Sequence, residues 1–215
     1  MTYSNGNDPI DGVVADTVDD HAPVLVVKNL TTTFATPRGP LTAVDDVSFT
    51  LRRGTALGIV GESGSGKSVT ARSVMRLLPK SNVTTTGAVS INGIDMMALS
   101  PKELRAMWGP EVAMVFQDPL GSLNPVMRIG DQVAEGLRIH HKVSRKEARA
   151  TALQLLRSVG IPSPQTRLDE YPHQLSGGMR QRVCIAIALA CGPRMLFADE
   201  PTTALDVTVQ HQILN

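Results

Sequence analysis

Cysteine, long apolar runs and net charge are all scarce in this chain, and each shortage removes a class of function. Of the 215 residues, two are cysteine. Cys184 and Cys191 stand seven apart in one apolar stretch, so on a helix they share nearly one face. That pattern reads as packing rather than a disulfide or metal pair, and a reducing compartment is assumed. No apolar run reaches the ~18 residues needed to cross a bilayer, because residues 183–191 are cut short by Gly192 and Pro193. Membrane contact must therefore come through partners. Lys and Arg total 21 against 20 Asp and Glu, a formal net charge of +1 that gives no electrostatic footprint for nucleic acid. Residues 1–22 contain no Lys or Arg, no apolar h-region and five aspartates. They read as neither a signal peptide nor a fold element, but as a disordered, solvated acidic tail. No internal repeat is visible, and the remaining length suits one sizeable core better than two independent domains.

Three short strings stand out against this background, with Gln117 after a buried-type strand as a fourth feature. Residues 61–68, GESGSGKS, fit the pattern G-x-x-x-x-G-K-[ST]. Gly61, Gly64 and Gly66 let backbone N–H groups close around phosphate oxygens, with Glu62, Ser63 and Ser65 completing the loop. Lys67 would reach the terminal phosphates, and the Ser68 hydroxyl would sit where Mg²⁺ binds, on the first turn of a helix whose dipole favours anions. The context agrees. Residues 56–60 (ALGIV) form an apolar run fit for a parallel strand buried on both faces, and residues 69–78 continue as a helix with Val74, Leu77 and Leu78 on one side.

Far downstream, Met195, Leu196, Phe197 and Ala198 run into Asp199 and Glu200. Two adjacent carboxylates ending a buried strand are costly without a cation or a shared proton. Asp199 is expected to hold Mg²⁺ through water, and Glu200 to polarise the water that attacks a γ-phosphate in line. Between these strings lies Leu175-Ser176-Gly177-Gly178, a hydroxyl and free amides at the start of a helix, which implies a second anion site. With one nucleotide cradle in the chain, that second site is expected to serve the ATP of a partner subunit.

The coarse fold is α/β. Residues 24–27, 47–51 and 88–91 read as strands of an antiparallel lobe, and residues 56–60, 112–116 and 195–198 as parallel core strands. Between Gln117 and the Leu175 string the pattern turns helical. Ser144 and Glu147 form a capping box, Ala152, Leu155, Leu156 and Val159 recur at helical spacing, and Gly160 stops the helix.

From about Val24 to its last residue the chain resembles the nucleotide-binding subunit of an ABC transporter. Residues 61–68 match the family's Walker A, Gln117 its Q-loop, Ser176 to Gly178 its signature, Asp199 and Glu200 its Walker B, and Ala204-Leu205-Asp206 its D-loop. Phe34 is similar in position to the aromatic that stacks on adenine. VFQDPLGSLNPVMRIGDQ at 115–132, YPHQLSGGMRQR at 171–182 and ADEPTTALDVTVQ at 198–210 resemble importers of dipeptides and oligopeptides, with relatives that carry nickel or glutathione. Met179 replaces the general consensus Gln, as is usual in that subfamily. The resemblance implies a P-loop NTPase with a mixed sheet, an antiparallel β lobe and a helical insert at about 118–175, in which Gln117 touches Mg²⁺ and the residues after it move the insert as a lever.

The resemblance also implies partners: a second ABC ATPase subunit closing head to tail around two ATPs, either a different chain or a second copy, two membrane permease subunits, and an external substrate-binding protein. The subunit would lie on the cytoplasmic face of the membrane. One departure is plain. The family's histidine at the end of the strand after the D-loop has no match, since His211 falls in residues 207–215, which read as the start of a helix. The expectation is a domain over residues 23–215 that is incomplete at its C-terminus, with the last core strands missing and hydrolysis by these residues alone in doubt. A nucleotide-binding protein without hydrolysis is then an alternative. A soluble ABC ATPase acting on nucleic acid is another, which the balanced charge disfavours.

Overall fold

The structure, a computed structural model, describes residues 23–201. The acidic tail, Asp206, His211 and the expected missing strands all concern positions outside the described residues.

The first two strands are long and antiparallel. Strand β1 (Pro23–Thr36) runs into β2 (Gly39–Arg52) through a tight turn, in which the Thr36 hydroxyl donates to the Gly39 carbonyl at 2.7 Å. β1 also pairs antiparallel with β3 (Val83–Ile91), which meets the short β4 (Ile94–Asp95), giving a four-stranded sheet in the order β2-β1-β3-β4. Alternation sends Leu25 and Val27 inward, with Val89 and Ile91 beside them. The inward Thr32 is also buried, and its hydroxyl meets that of Ser73 at 2.8 Å, while Ser73 donates to the Val69 carbonyl at 2.7 Å. These contacts fix the lobe against helix α1 (Lys67–Val74). That helix is shorter than the predicted 69–78, because Arg76 turns left-handed (φ +55°) and its guanidinium leaves to bind the Met96 and Leu99 carbonyls.

Beyond helix α2 (Pro101–Met107), strand β5 (Val112–Val115) pairs in parallel with β6 (Met195–Ala198), Val112 opposite Met195 and Val115 opposite Ala198. β5 is buried along its length, and its alternation divides the molecule. Val112 and Met114 pack into a core shared with the β lobe, α1 and α2, while Ala113 and Val115 pack into a second core made of helices.

That second core is built between β5 and β6 in the chain. Its helices are α3 (Pro119–Ser122), α4 (Ile129–His140), α5 (Arg145–Ser158), α6 (Pro164–Arg167) and α7 (Gly177–Leu189). The Ser144–Glu147 capping box is present at the start of α5, and Ala152, Leu156 and Val159 are buried as the spacing predicts. Each such aliphatic side chain contributes roughly 1–3 kcal/mol by leaving water. Asp169 joins the helices at one surface, bonded to Arg149 at 2.8 Å and Arg128 at 3.1 Å, and these guanidinium groups hold its carboxyl below the usual range.

Two expectations are corrected. Residues 56–60 form no strand; the whole run is exposed, Val60 at 93%. A parallel strand needs neighbours, and among the described residues none pairs with this segment, so its apolar side chains have no sheet to enter. The parallel sheet therefore has two described strands, β5 and β6, rather than three. Second, Cys184 and Cys191 do not share a helix, since α7 ends at Leu189. Both are free thiols with a packing role: Cys184 is buried, and Cys191 lies against Gly136 of α4.

Candidate nucleotide site

The two-strand sheet delivers chemistry at its C-terminal edge. β5 leads to Gln117 and β6 to Asp199 and Glu200, and the Asp199 N–H continues the ladder by donating to the Val115 carbonyl at 2.9 Å. Open α/β sheets place ligands at this edge. There the Gln117 amide donates to the Glu200 carboxylate at 2.7 Å, two side chains brought together from opposite ends of the helical region. Glu200 itself is exposed, with a left-handed backbone (φ +48°) that is uncommon for a glutamate and marks a sharp turn out of the strand.

The glycine-rich loop faces the same point. Gly61, Glu62, Ser63, Gly64 and Ser65 are exposed, and the Lys67 ammonium reaches back to the carbonyls of Gly61 (2.9 Å) and Glu62 (2.8 Å), closing the loop on itself. The Ser65 N–H donates to the Glu62 carbonyl at 3.2 Å across a turn that passes through Gly64. Gly64 has open space where a Cβ would stand, so at this position crowding does not demand glycine. Its left-handed backbone (φ +81°) does. Gly66 differs. It is the cap of α1 at φ +91°, and a Cβ there would overlap the Ala43 carbonyl oxygen of β2, so only glycine fits. Ser68 then donates to Asp199 Oδ1 at 2.7 Å, the bond that joins loop and sheet.

This donor set fits a hard divalent cation. Asp199 is 8% exposed, and its second oxygen, Oδ2, is buried without a partner among the described residues. A buried carboxylate oxygen left unpaired is costly, and a cation beside Asp199 and the Ser68 hydroxyl removes that cost. Among the described residues no group of three or more His, Cys, Asp or Glu could hold a metal.

Ser176 caps α7, accepting the Met179 N–H at 3.3 Å, with Gly177 and Gly178 in the first turn and open space beside Gly177. Phe34 is half-buried on β1, outside both hydrophobic cores. Neither Ser176 nor Phe34 makes a described hydrogen bond or ring contact with the loop or the carboxylates. Loop, Gln117, Asp199 and Glu200 are thus brought together, and Asp206 lies outside the described residues.

Asp118 and Gln132 carry no motif but shape the approach. Asp118 caps α3, and Gln132 clamps residues 124–127, accepting from the Asn124 N–H at 2.9 Å and donating to the Asn124 (3.0 Å) and Met127 (2.9 Å) carbonyls. Gln181, wholly buried on α7, donates to the Pro201 carbonyl at 3.0 Å. Its sequence signal is a polar residue three and four positions before the buried Cys184 and Ile185.

Known proteins share this architecture. The chain is 56% identical over 193 residues to a protein of Brucella abortus named as a candidate peptide import ATP-binding protein, which covers 90% of the chain and 58% of that protein. A dipeptide transport ATP-binding protein of Bacillus subtilis is 53% identical over 192 residues, 89% of this chain and 57% of its own length. The chain thus spans less than two thirds of these relatives. A solved ATP-binding cassette, a dimer in a post-hydrolysis state with ADP and phosphate bound, superposes with a TM-score of 0.79 at 31% identity, over 88% of this chain and 79% of that one. Residues 44–203, which include the loop, Gln117, the α7 cap and both carboxylates, match the ABC transporter family, and the chain belongs to that family.

Proposed function

We propose that the chain is the ATP-hydrolysing subunit that energises import of dipeptides or oligopeptides through a membrane ABC transporter. The observation that carries the reading is the meeting of three motifs at one sheet edge: Ser68 on Asp199, and Gln117 on Glu200. The names of the Brucella and Bacillus relatives support the peptide cargo.

In this reading the amides of residues 61–68, Gly64 and Gly66 among them, surround the β- and γ-phosphates of ATP, and Lys67 exchanges its two loop carbonyls for phosphate oxygens. Phe34 stacks on the adenine. Ser68 and Asp199, with Gln117, hold Mg²⁺, which when bound offsets the charge developing on the transferred phosphoryl group. Glu200 orients the attacking water and accepts its proton, while Gln117 keeps the carboxylate in place. Ser176 to Gly178 and Asp206 engage the nucleotide of a second ABC ATPase subunit, a different chain in the favoured form or a second copy.

Closure of that dimer would drive two membrane permease subunits supplied by an external substrate-binding protein, with the chain on the cytoplasmic face. Among the described residues no helix is long and apolar enough to cross a membrane, in keeping with contact through partners. The segment 118–125, following Gln117 and fixed by the Asp118 cap and the Gln132 clamp, is the lever to the helical region.

The test is reconstitution of the full protein with its permease and binding protein in vesicles. Oligopeptide uptake dependent on Mg-ATP is expected, and uptake indifferent to nucleotide would remove the reading. Deleting residues 118–125 should leave nucleotide affinity within about twofold and uncouple uptake from ATP use.

A further inference from the structure

Resting on that reading, we propose that Gln181 is a positioning residue for Glu200, which ties the general base to the helix whose N-terminus carries Ser176. Gln181 is 0% exposed, between Arg180 and Arg182 near the start of α7 and just before its apolar run 183–189. Its amide Nε2 donates to the Pro201 carbonyl at 3.0 Å, and its Oε1 is buried with no hydrogen-bond partner among the described residues. A buried glutamine with half its polar capacity unmet is a poor choice for packing alone, since methionine has nearly the same shape and no polar atoms to desolvate. What the glutamine supplies is one donor, aimed at one carbonyl.

That carbonyl belongs to the residue immediately after Glu200. Pro201 has no N–H of its own to anchor the turn, and Glu200 before it holds the uncommon left-handed backbone at φ +48°. The glutamate is therefore held both at its carboxylate, by the Gln117 amide at 2.7 Å, and at its backbone exit, by Gln181. Gln181 lies five residues beyond Ser176 in the same helix, a rise of about 7.5 Å along one rigid element. A displacement of the Ser176 end is transmitted to the Pro201 carbonyl through a single hydrogen bond. The base on one side of the site thereby follows the position of the helix that Ser176 caps.

The experiment uses the full chain in its assembled complex and compares wild type with Gln181→Met for Mg-ATP affinity, by fluorescent-nucleotide titration, and for turnover. Gln181→Met should bind nucleotide within about twofold of wild type, keep or raise its melting temperature because the orphaned Oε1 is gone, and lose at least tenfold in turnover. In a Glu200→Gln background the same change should add nothing further, since the base it positions is already disabled.

Turnover within twofold of wild type in a folded Gln181→Met protein, or an additive loss in the Glu200→Gln background, would overturn the inference while leaving the proposed function intact. Absence of Mg-ATP turnover in the wild type would remove both. Should Gln181→Met fail to fold, Gln181→Asn, which keeps the amide but withdraws its nitrogen from Pro201, decides by the same comparison.

Discussion

The two apolar runs that approach the site behave in opposite ways. Val112–Val115 is buried throughout, paired with β6 and shared between two cores, whereas residues 56–60 are exposed and outside any ladder. They are similar in length and hydrophobicity, so composition does not separate them; the neighbouring strand does. One half of the site, the carboxylates of Asp199 and Glu200, is thus carried by a sheet. The other half, the loop at 61–68, is held by its own turn through Gly64, by the fit of Gly66 against β2 and by the Ser68–Asp199 bond.

The largest effect is expected on the loop side. Lys67→Ala removes the loop's cation and should weaken Mg-ATP binding at least ~100-fold, or about 3 kcal/mol, without changing the melting temperature. Unchanged affinity in a titration of the folded variant would mean that this half is not the phosphate site. On the sheet side, Glu200→Gln should lower turnover by about 10²–10⁴-fold and leave nucleotide bound, trapping the ATP-bound dimer. Unaltered single-turnover rates would show that another base operates.

The comparison itself is tested by trimming one valine from each run. Val112→Ala, at a position 0% exposed, should destabilise by about 1–3 kcal/mol, against less than ~0.5 kcal/mol for Val60→Ala, read from urea unfolding of the full chain. Equal costs would mean that residues 56–60 are covered in the assembled protein and the two runs are alike after all.

The smallest effect is confined to alkaline pH. Burial, and to a lesser extent the Asp118 carboxylate, pushes the Cys184 thiol up to about 11. The folded thiol therefore holds its proton more tightly than the unfolded one. Its contribution to stability is full below the unfolded pKa of ~8.5 and is lost as pH rises through about 11. Cys184→Ala should flatten that decline in denaturant midpoints measured from pH 8 to 11, and an identical slope would show that the thiol is accessible in the helical core.

Much of the site was legible in the chain because its parts are local. The glycines of the loop, the carboxylates ending an apolar strand and the hydroxyl heading α7 each need a backbone conformation that a few adjacent residues encode. The Ser144–Glu147 cap and the buried positions of α5 follow for the same reason, since helix spacing needs no distant partner. Residues 56–60 were not legible, because whether an apolar run becomes a strand depends on which strand lies beside it. Gln181 was equally hidden: a glutamine beside Arg180 and Arg182 looks like one polar residue among several, and its burial appears only when α7 is seated between the helices and the turn after β6.

The sequence by itself determined the glycine-rich loop, the order of motifs, the antiparallel lobe and the helical character of the region between Gln117 and Leu175, since all of these rest on periodicity and on residue types with narrow conformational choices. Only the tertiary structure decided that β5 would divide two cores, that Ser68 would meet Asp199 and Gln117 would meet Glu200, and that residues 56–60 would remain outside the sheet. Those outcomes depend on contacts between residues far apart in the chain, and the free energy of such a contact is set by what else is already packed around it.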